Sequence, residues 1–270
     1  MNILHISDIH FRKKYEQSND GYKGMLLEMS NPLTLLEKCL QEVMDKTPID
    51  LMIISGDLTE DGTVEDYRFL KNYIKSLVGN IKIIVTLGNH DIKENFRVGW
   101  LNEVPSNMSY NVIEEFDDFY VLSFDNSVHK NHKGHVSESQ FAWLESAFER
   151  IGDKPILFVT HHHLLNNQNT IPCLPESDKL LQLLRKQHII CIMTGHTHHQ
   201  YTGKVAGTRY NTVAGMSFCG EDEGNGIVRF EESYGYNLYR MDGGKIKRKT
   251  SEVFFPEKLL KVVNMAKADY

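Results

Sequence analysis

The chain has 270 residues, 41% of them hydrophobic and 24% charged, with a formal net charge of -6. That composition belongs to an ordinary globular protein with enough apolar material for a substantial core, and no long disordered stretch is expected. The acidic balance argues against affinity built on broad neutralisation of nucleic-acid phosphates, while leaving a small anionic substrate open.

One α/β domain over residues 1–270 is expected, with a core at 1–245 and a C-terminal strand and helix at 246–270. Cys39, Cys173, Cys191 and Cys219 have no paired CxxC spacing and read as free thiols in a reducing compartment. The N-terminal run Asn2-Ile3-Leu4-His5-Ile6 is too short and too polar for a secretory signal. No apolar run reaches the roughly 18 residues of a membrane span, so a cytoplasmic chain with no membrane partner is expected.

In chain order, Ile3, Leu4 and Ile6 form a short apolar strand that ends at Asp8 and His10. Residues 11–31 are polar, with Asn19-Asp20-Gly21 as a turn, and read as a loop flanking the site. Asn31-Pro32 opens a helix carrying Leu33, Leu36, Leu40 and Val43. Leu51–Ile54 is a second buried strand, delivering Gly56-Asp57, and Val64, Tyr67, Leu70 and Ile74 mark the next helix. A third strand, Ile83–Val85, delivers Gly88-Asn89-His90-Asp91. This β-α-β-α-β series predicts a parallel sheet.

Residues 92–135 read as an insertion or rim with a strand at Phe119–Phe124. Ser137 and Gln140 form a capping box at the head of a helix with Phe141, Leu144 and Phe148. Strand Ile156–Val159 ends in His161-His162-His163, and after a helix at Leu180–Leu184, strand Ile189–Met193 ends in Gly195-His196-Thr197-His198-His199. Beyond residue 200, alternation in Tyr210–Val213, Ile227–Phe230 and Tyr236–Met241 predicts antiparallel strands. Met241-Asp242-Gly243-Gly244 reads as a hairpin turn before a basic edge strand at Lys245–Lys249, and Pro256 as the start of a final helix.

Five strands thus end in residues suited to metal ligation or proton transfer. Asp8, His10, Asp57, Asn89, His161, His196 and His198 form a mixed oxygen and nitrogen set too large for one ion, and two adjacent cations bridged by a carboxylate fit it. Asp57, alone on its loop, is the natural bridge. With no thiolate in the set, Mn, Fe and Zn all suit it. A hydroxide bridging such a pair forms near neutral pH, because cations lower the pKa of bound water from about 15.7 to about 7 in favourable sites.

These blocks, in this order, resemble the calcineurin-like metallophosphoesterase superfamily over roughly residues 1–240, and most nearly its branch of cyclic-nucleotide phosphodiesterases and glycerophosphodiesterases. The resemblance implies a four-layer α/β/β/α sandwich of two mixed sheets flanked by helices. It implies that Asp8, His10, Asp57 and His198 hold one ion, and Asp57, Asn89, His161 and His196 the other. His90 then contacts the scissile phosphate and protonates the leaving oxygen, with Asp91 holding its imidazole. Where relatives carry Pro after the histidine run this chain has Leu164, which keeps His162 as an alternative to His161 and His163 as a substrate contact.

The implied activity is hydrolysis of a small phosphodiester, such as a cyclic nucleotide. A DNA or RNA nuclease, a phosphomonoesterase or protein phosphatase of the same superfamily, and a metal-binding scaffold without turnover are the alternatives. Residues 11–31, 92–135 and 218–225, with Phe11, Tyr22 and Arg97, are candidates for a specificity rim.

Overall fold

The apolar runs become strands of two facing sheets in a computed structural model that describes residues 1–18, 21–166, 168 and 171–267. β1 (Asn2–Ile6), β2 (Leu51–Ser55) and β3 (Lys82–Thr86) lie parallel, as the β-α-β-α-β series predicts. β12 (Tyr234–Asp242) and β13 (Lys245–Phe254) add antiparallel, giving the order β13-β12-β1-β2-β3. The basic run therefore sits on an edge strand.

The second sheet takes β4 (Val112–Glu115), β5 (Tyr120–Ser123), β6 (Ile156–Val159), β7 (Ile189–Thr194), β8 (Tyr201–Val205) and β9 (Thr208–Thr212) in the order β4-β5-β6-β7-β9-β8. Its four inner strands are parallel and its two edges antiparallel.

The period-two alternation of each strand decides which core a residue joins. Ile3, Leu51 and Ile53 point between the sheets, against Val121, Leu157, Cys191 and Met193. Leu4, Ile6, Met52 and Ile54 point outward, onto Leu36, Leu40, Tyr67 and Leu70 of α2 (Pro32–Met44) and α3 (Val64–Val78). On the far side Leu122, Phe158 and Ile192 meet Leu144, Phe148 and Leu180 of α5 (Glu138–Ile151) and α6 (Ser177–Leu184). Each such side chain contributes about 1.5–3 kcal/mol by leaving water. The result is the expected α/β/β/α sandwich.

Local signals set the helix ends. The Asn31 side chain accepts from Leu33 N–H, Ser137 and Gln140 close their capping box, and Thr63 and Asp66 form a second one. Between the sheets' connections, α4 (Lys93–Phe96) runs into a π-helical turn at Arg97–Leu101.

A third, antiparallel sheet of β10 (Phe218–Gly224), β11 (Ile227–Glu232) and β14 (Leu259–Asn264) corrects two expectations. The stretch after Pro256 is a strand rather than a helix, because Leu260 and Val263 turn inward while the backbone pairs with β11. The polar stretch 11–31 contains α1 (Gly21–Glu28), whose Tyr22, Met25 and Leu26 pack on Phe218, Phe230, Leu260 and Val263. That helix is hard to see alone because its apolar face is short. The first two positions of the expected turn, Asn19 and Asp20, lie outside the described residues. No helix among the described residues is long and apolar enough to cross a membrane.

Candidate metal centre

The loops that follow β1, β2, β3, β6 and β7 meet at one edge of the sandwich, laced by backbone hydrogen bonds. Asp8 N–H donates to Gly56 O at 3.0 Å, His10 N–H to Asp57 O at 3.0 Å, and Gly195 N–H to His161 O at 3.1 Å. Within these loops Asp8, His10, Asp57, His196 and His198 have left-handed backbones, with φ of 56°, 50°, 47°, 72° and 59°. That conformation costs a side-chain-bearing residue roughly 1–2 kcal/mol. The cost falls on five of the seven candidate ligands.

Glycines make room for the rest. Gly56 has φ +102°, and a β-carbon there would sit 2.3 Å from His161 Nδ1. Gly88 does not have a left-handed φ; its need is space, since a β-carbon would lie 2.1 Å from Asp57 Oδ1.

Asp57 is the meeting point. Its Oδ1 accepts from His90 N–H at 2.8 Å, while Oδ2 lies 3.2 Å from His161 Nε2 and 3.6 Å from His10 Nε2. On the other side His198 Nε2 stands 3.4 Å from Asp8 Oδ1 and 3.1 Å from His10 Nε2. Backbone carbonyls choose the tautomers. His161 Nδ1 donates to Ser55 O and His198 Nδ1 to Phe218 O, both at 2.7 Å, so in the neutral form of each ring it is Nε2, facing the centre, that has the lone pair.

The donor set fits cations. Nε2 of His162 and His196 and Oδ1 of Asn89 are buried without a hydrogen-bond partner, a condition that costs each about 1–3 kcal/mol unless something binds there. The groups Asp8–His10–His198, Asp8–Asp57–His161 and His161–His162–His196 each place their ligand atoms within 4.8 Å of one another. Imidazole nitrogens and carboxylate oxygens in overlapping groups suit two neighbouring ions. His161 is the histidine on Asp57; His162 faces His196, its ring centroid 4.5 Å away. His163 turns aside and meets Ile171 O at 2.9 Å through Nε2.

His90 stands at the mouth of this cluster, and the carboxylate against its ring is Glu60 rather than Asp91. Glu60 Oε1 lies 3.0 Å from His90 Nδ1, and Glu60 Oε2 lies 2.6 Å from His10 Nδ1. The carboxylate of Asp91 is occupied elsewhere, by the N–H groups of Gly88, Leu58 and Thr59 at 2.9, 3.2 and 3.2 Å and by Tyr67 Oη at 2.8 Å. Asp91 thus ties the Gly88–Asp91 loop to the loop after β2. Glu60 went unnoticed in the sequence, although an acid three residues beyond the central Asp57 was a usable signal.

The electrostatics follow this pairing. Burial lowers the His90 pKa, but Glu60 and Asp57 outweigh it and hold the imidazole up at about 10. Burial and the Asp57 charge push Asp91 up to about 6, against its hydrogen bonds. Burial lowers His161 too, and Asp57 more than restores it, to about 9. These are groups whose proton affinity is set by fixed neighbouring charges.

Above the cluster lies a cavity of about 500 Å³, with His10, Asp57, Asn89, His90, His196 and His198 on one side and Tyr22, Phe218, Val228, Phe230 and Met265 on the other. Of the rim candidates, Tyr22 lines it, and residues 218–225 do so largely as strand β10 rather than as a loop. Arg97 instead binds Glu103 at 2.8 Å, and Phe11 is buried and stacked on Phe69 at 5.6 Å.

A helix–sheet–sheet–helix sandwich whose strand ends gather overlapping carboxylate and imidazole groups about one shared aspartate defines a dinuclear metallophosphoesterase. The model of the calcineurin-like phosphoesterases matches residues 1–200, and the chain belongs to that family. It is 27% identical over 201 residues to a probable cyclic nucleotide phosphodiesterase of Xenorhabdus bovienii, covering 73% of this chain and 78% of that one. It is 29% identical over 238 residues to the glycerophosphodiester phosphodiesterase GpdQ of Enterobacter lignolyticus, covering 82% and 81%. Its fold is similar to that of a dimetal phosphatase from Danio rerio, with a TM-score of 0.60, 12% identity, and coverage of 93% of this chain and 98% of that one.

Proposed function

We propose that the chain hydrolyses a small phosphodiester, a cyclic nucleotide or a related diester. In this reading one cation is held by Asp8, His10, Asp57 and His198, and a second by Asp57, Asn89, His161 and His196, with Mn, Fe or Zn as the metal. When bound, such a pair polarises the phosphate and lowers the pKa of water near it. The observation that carries the reading is the convergence of imidazole nitrogens on Oδ2 of one buried aspartate, 3.2 and 3.6 Å away for His161 and His10.

The chain's own residues account for the remaining steps. His90, its Nδ1 fixed by Glu60, has its other ring nitrogen left for substrate and donates a proton to the leaving oxygen. Asp91 keeps the loop that carries His90 and Asn89 in register with Asp57. Phe218, Val228, Phe230 and Met265 offer an apolar wall that excludes water and suits a base or another flat group. A volume of about 500 Å³ is that of a small-ligand site rather than a duplex-binding groove. The relatives named as cyclic nucleotide and glycerophosphodiester phosphodiesterases support the diester reading. The free cysteines accord with a reducing cytoplasm.

The test is turnover by protein reconstituted with Mn²⁺, Fe²⁺ or Zn²⁺, comparing bis-p-nitrophenyl phosphate, 3′,5′-cyclic AMP and glycerophosphodiesters with p-nitrophenyl phosphate. Diesters should be cleaved faster than the monoester. Failure to cleave any diester with any of these metals would overturn the proposal, as would faster cleavage of single-stranded DNA than of every small diester.

A further inference from the structure

Strand β10 presents two faces. Phe218, Gly220 and Asp222 line the catalytic cavity, whereas Cys219 and Glu221, at the alternate positions, meet His199 of the loop after β7. There the Cys219 sulfur, a Glu221 carboxylate oxygen and a His199 ring nitrogen lie within 4.8 Å of one another.

His199 is fixed at both ring nitrogens, with Nδ1 2.6 Å from Thr197 O and Nε2 2.9 Å from Glu221 Oε1.

We propose that His199, Cys219 and Glu221 form a third cation site, outside the dinuclear centre, for an ion of the Zn²⁺ class. Imidazole, thiolate and carboxylate together are zinc ligands, and three of them leave a fourth position for water. On binding, the Cys219 thiol gives its proton to solvent and its sulfur bonds to the ion, with no change of oxidation state.

The site has a mechanical reason to exist. Phe218 O accepts from His198 Nδ1 at 2.7 Å, so the strand held through Cys219 and Glu221 is the one that orients a ligand of the catalytic centre. The ion clamps β10 to the loop carrying His196 and His198 from the face turned away from the cavity.

Cobalt(II) provides the test. A thiolate bound to Co²⁺ gives an intense charge-transfer band in the near ultraviolet, and the oxygen and nitrogen ligands of the dinuclear centre give none. The full chain titrated with Co²⁺ should show this band, Cys219→Ser should abolish it and bind one ion fewer per chain, and Glu221→Gln should weaken it. Asp57→Asn, aimed at the dinuclear centre, should leave the band in place, which separates this site from the catalytic reading. A folded wild-type chain without the band would overturn the proposal, and so would a band that survives in Cys219→Ser. If Cys219→Ser does not fold, His199→Gln and Glu221→Gln decide: unchanged intensity in both overturns the site.

Discussion

Glu60 divides its carboxylate between two histidines, with Oε2 2.6 Å from His10 Nδ1 and Oε1 3.0 Å from His90 Nδ1. One buried charge thereby orients both a candidate ligand and the candidate proton donor. The two jobs can be separated by mutation. His90→Ala should lower kcat about 10²–10⁴-fold and leave the metal content unchanged. Glu60→Gln should lower activity about 10–100-fold and also weaken metal retention on dialysis, since His10 loses its orienting partner. Equal metal loss in both variants would refute this division.

Asp57→Asn keeps an acceptor for His90 N–H but puts an amide in place of the oxygen near His161 and His10. Both ions should be lost, not one, with activity down at least about 100-fold. Metal analysis after gel filtration, carried out in a Cys219→Ser background so that only the dinuclear centre is counted, decides; retention of one full equivalent there would mean that Asp57 does not bridge.

Gly88→Ala places a methyl 2.1 Å from Asp57 Oδ1, and something must move. Overpacking of this kind costs about 1–3 kcal/mol, and here it should also reduce metal affinity. Gly79→Ala, at the end of α3 with φ +61° and nothing within 4 Å of the added carbon, is the control: a stability loss of about 1 kcal/mol without metal loss. Denaturant midpoints and metal content, measured side by side, test the contrast.

His5 predicts a pH dependence of stability away from the metal ligands. It is fully buried, 2.8 Å from Ser55 Oγ through Nε2, and burial, aided by the Lys249 charge, lowers its pKa from 6.5 to about 3. Above pH 6.5 the ring is neutral folded or unfolded and contributes no slope. Below it the unfolded chain takes up a proton that the folded chain refuses, so stability falls by about 1.4 kcal/mol per pH unit toward pH 3. Urea unfolding at pH 6.5 and 4.5 should show a shallower fall in His5→Gln than in wild type. Parallel lines would exclude His5 as the source.

The strand ends were legible because a buried strand is a continuous apolar run, and the chemistry follows it directly in sequence. Asp8, Asp57, Asn89, His161 and His196 each follow a strand in this way, and the structure brings them to one edge. Helices α2 and α5 were legible from Asn31 and from the Ser137–Gln140 box. What escaped was whatever depends on a distant partner. Helix α1 is defined by its packing on β10, β11 and β14, and β14 by pairing with β11, some thirty residues away. The exchange of roles between Asp91 and Glu60 escaped for the same reason. Adjacency in sequence suggested Asp91 for His90, but a side chain one residue on cannot easily turn back to its neighbour's ring, while Glu60 reaches it from another loop.

The left-handed residues of this edge also bear on what holds the site in shape. At φ between 47° and 72°, Asp8, His10, Asp57, His196 and His198 all occupy backbone positions that glycine would fill with less strain. Glycine at any of them would relieve that backbone strain but would empty a buried or half-buried position and, at Asp8 and Asp57, leave the N–H groups of His196 and His90 without their acceptors. The fold around this edge of the sandwich therefore holds five side-chain-bearing residues in a conformation each resists on its own, so that the positions of these side chains depend on the packing of the two sheets behind them.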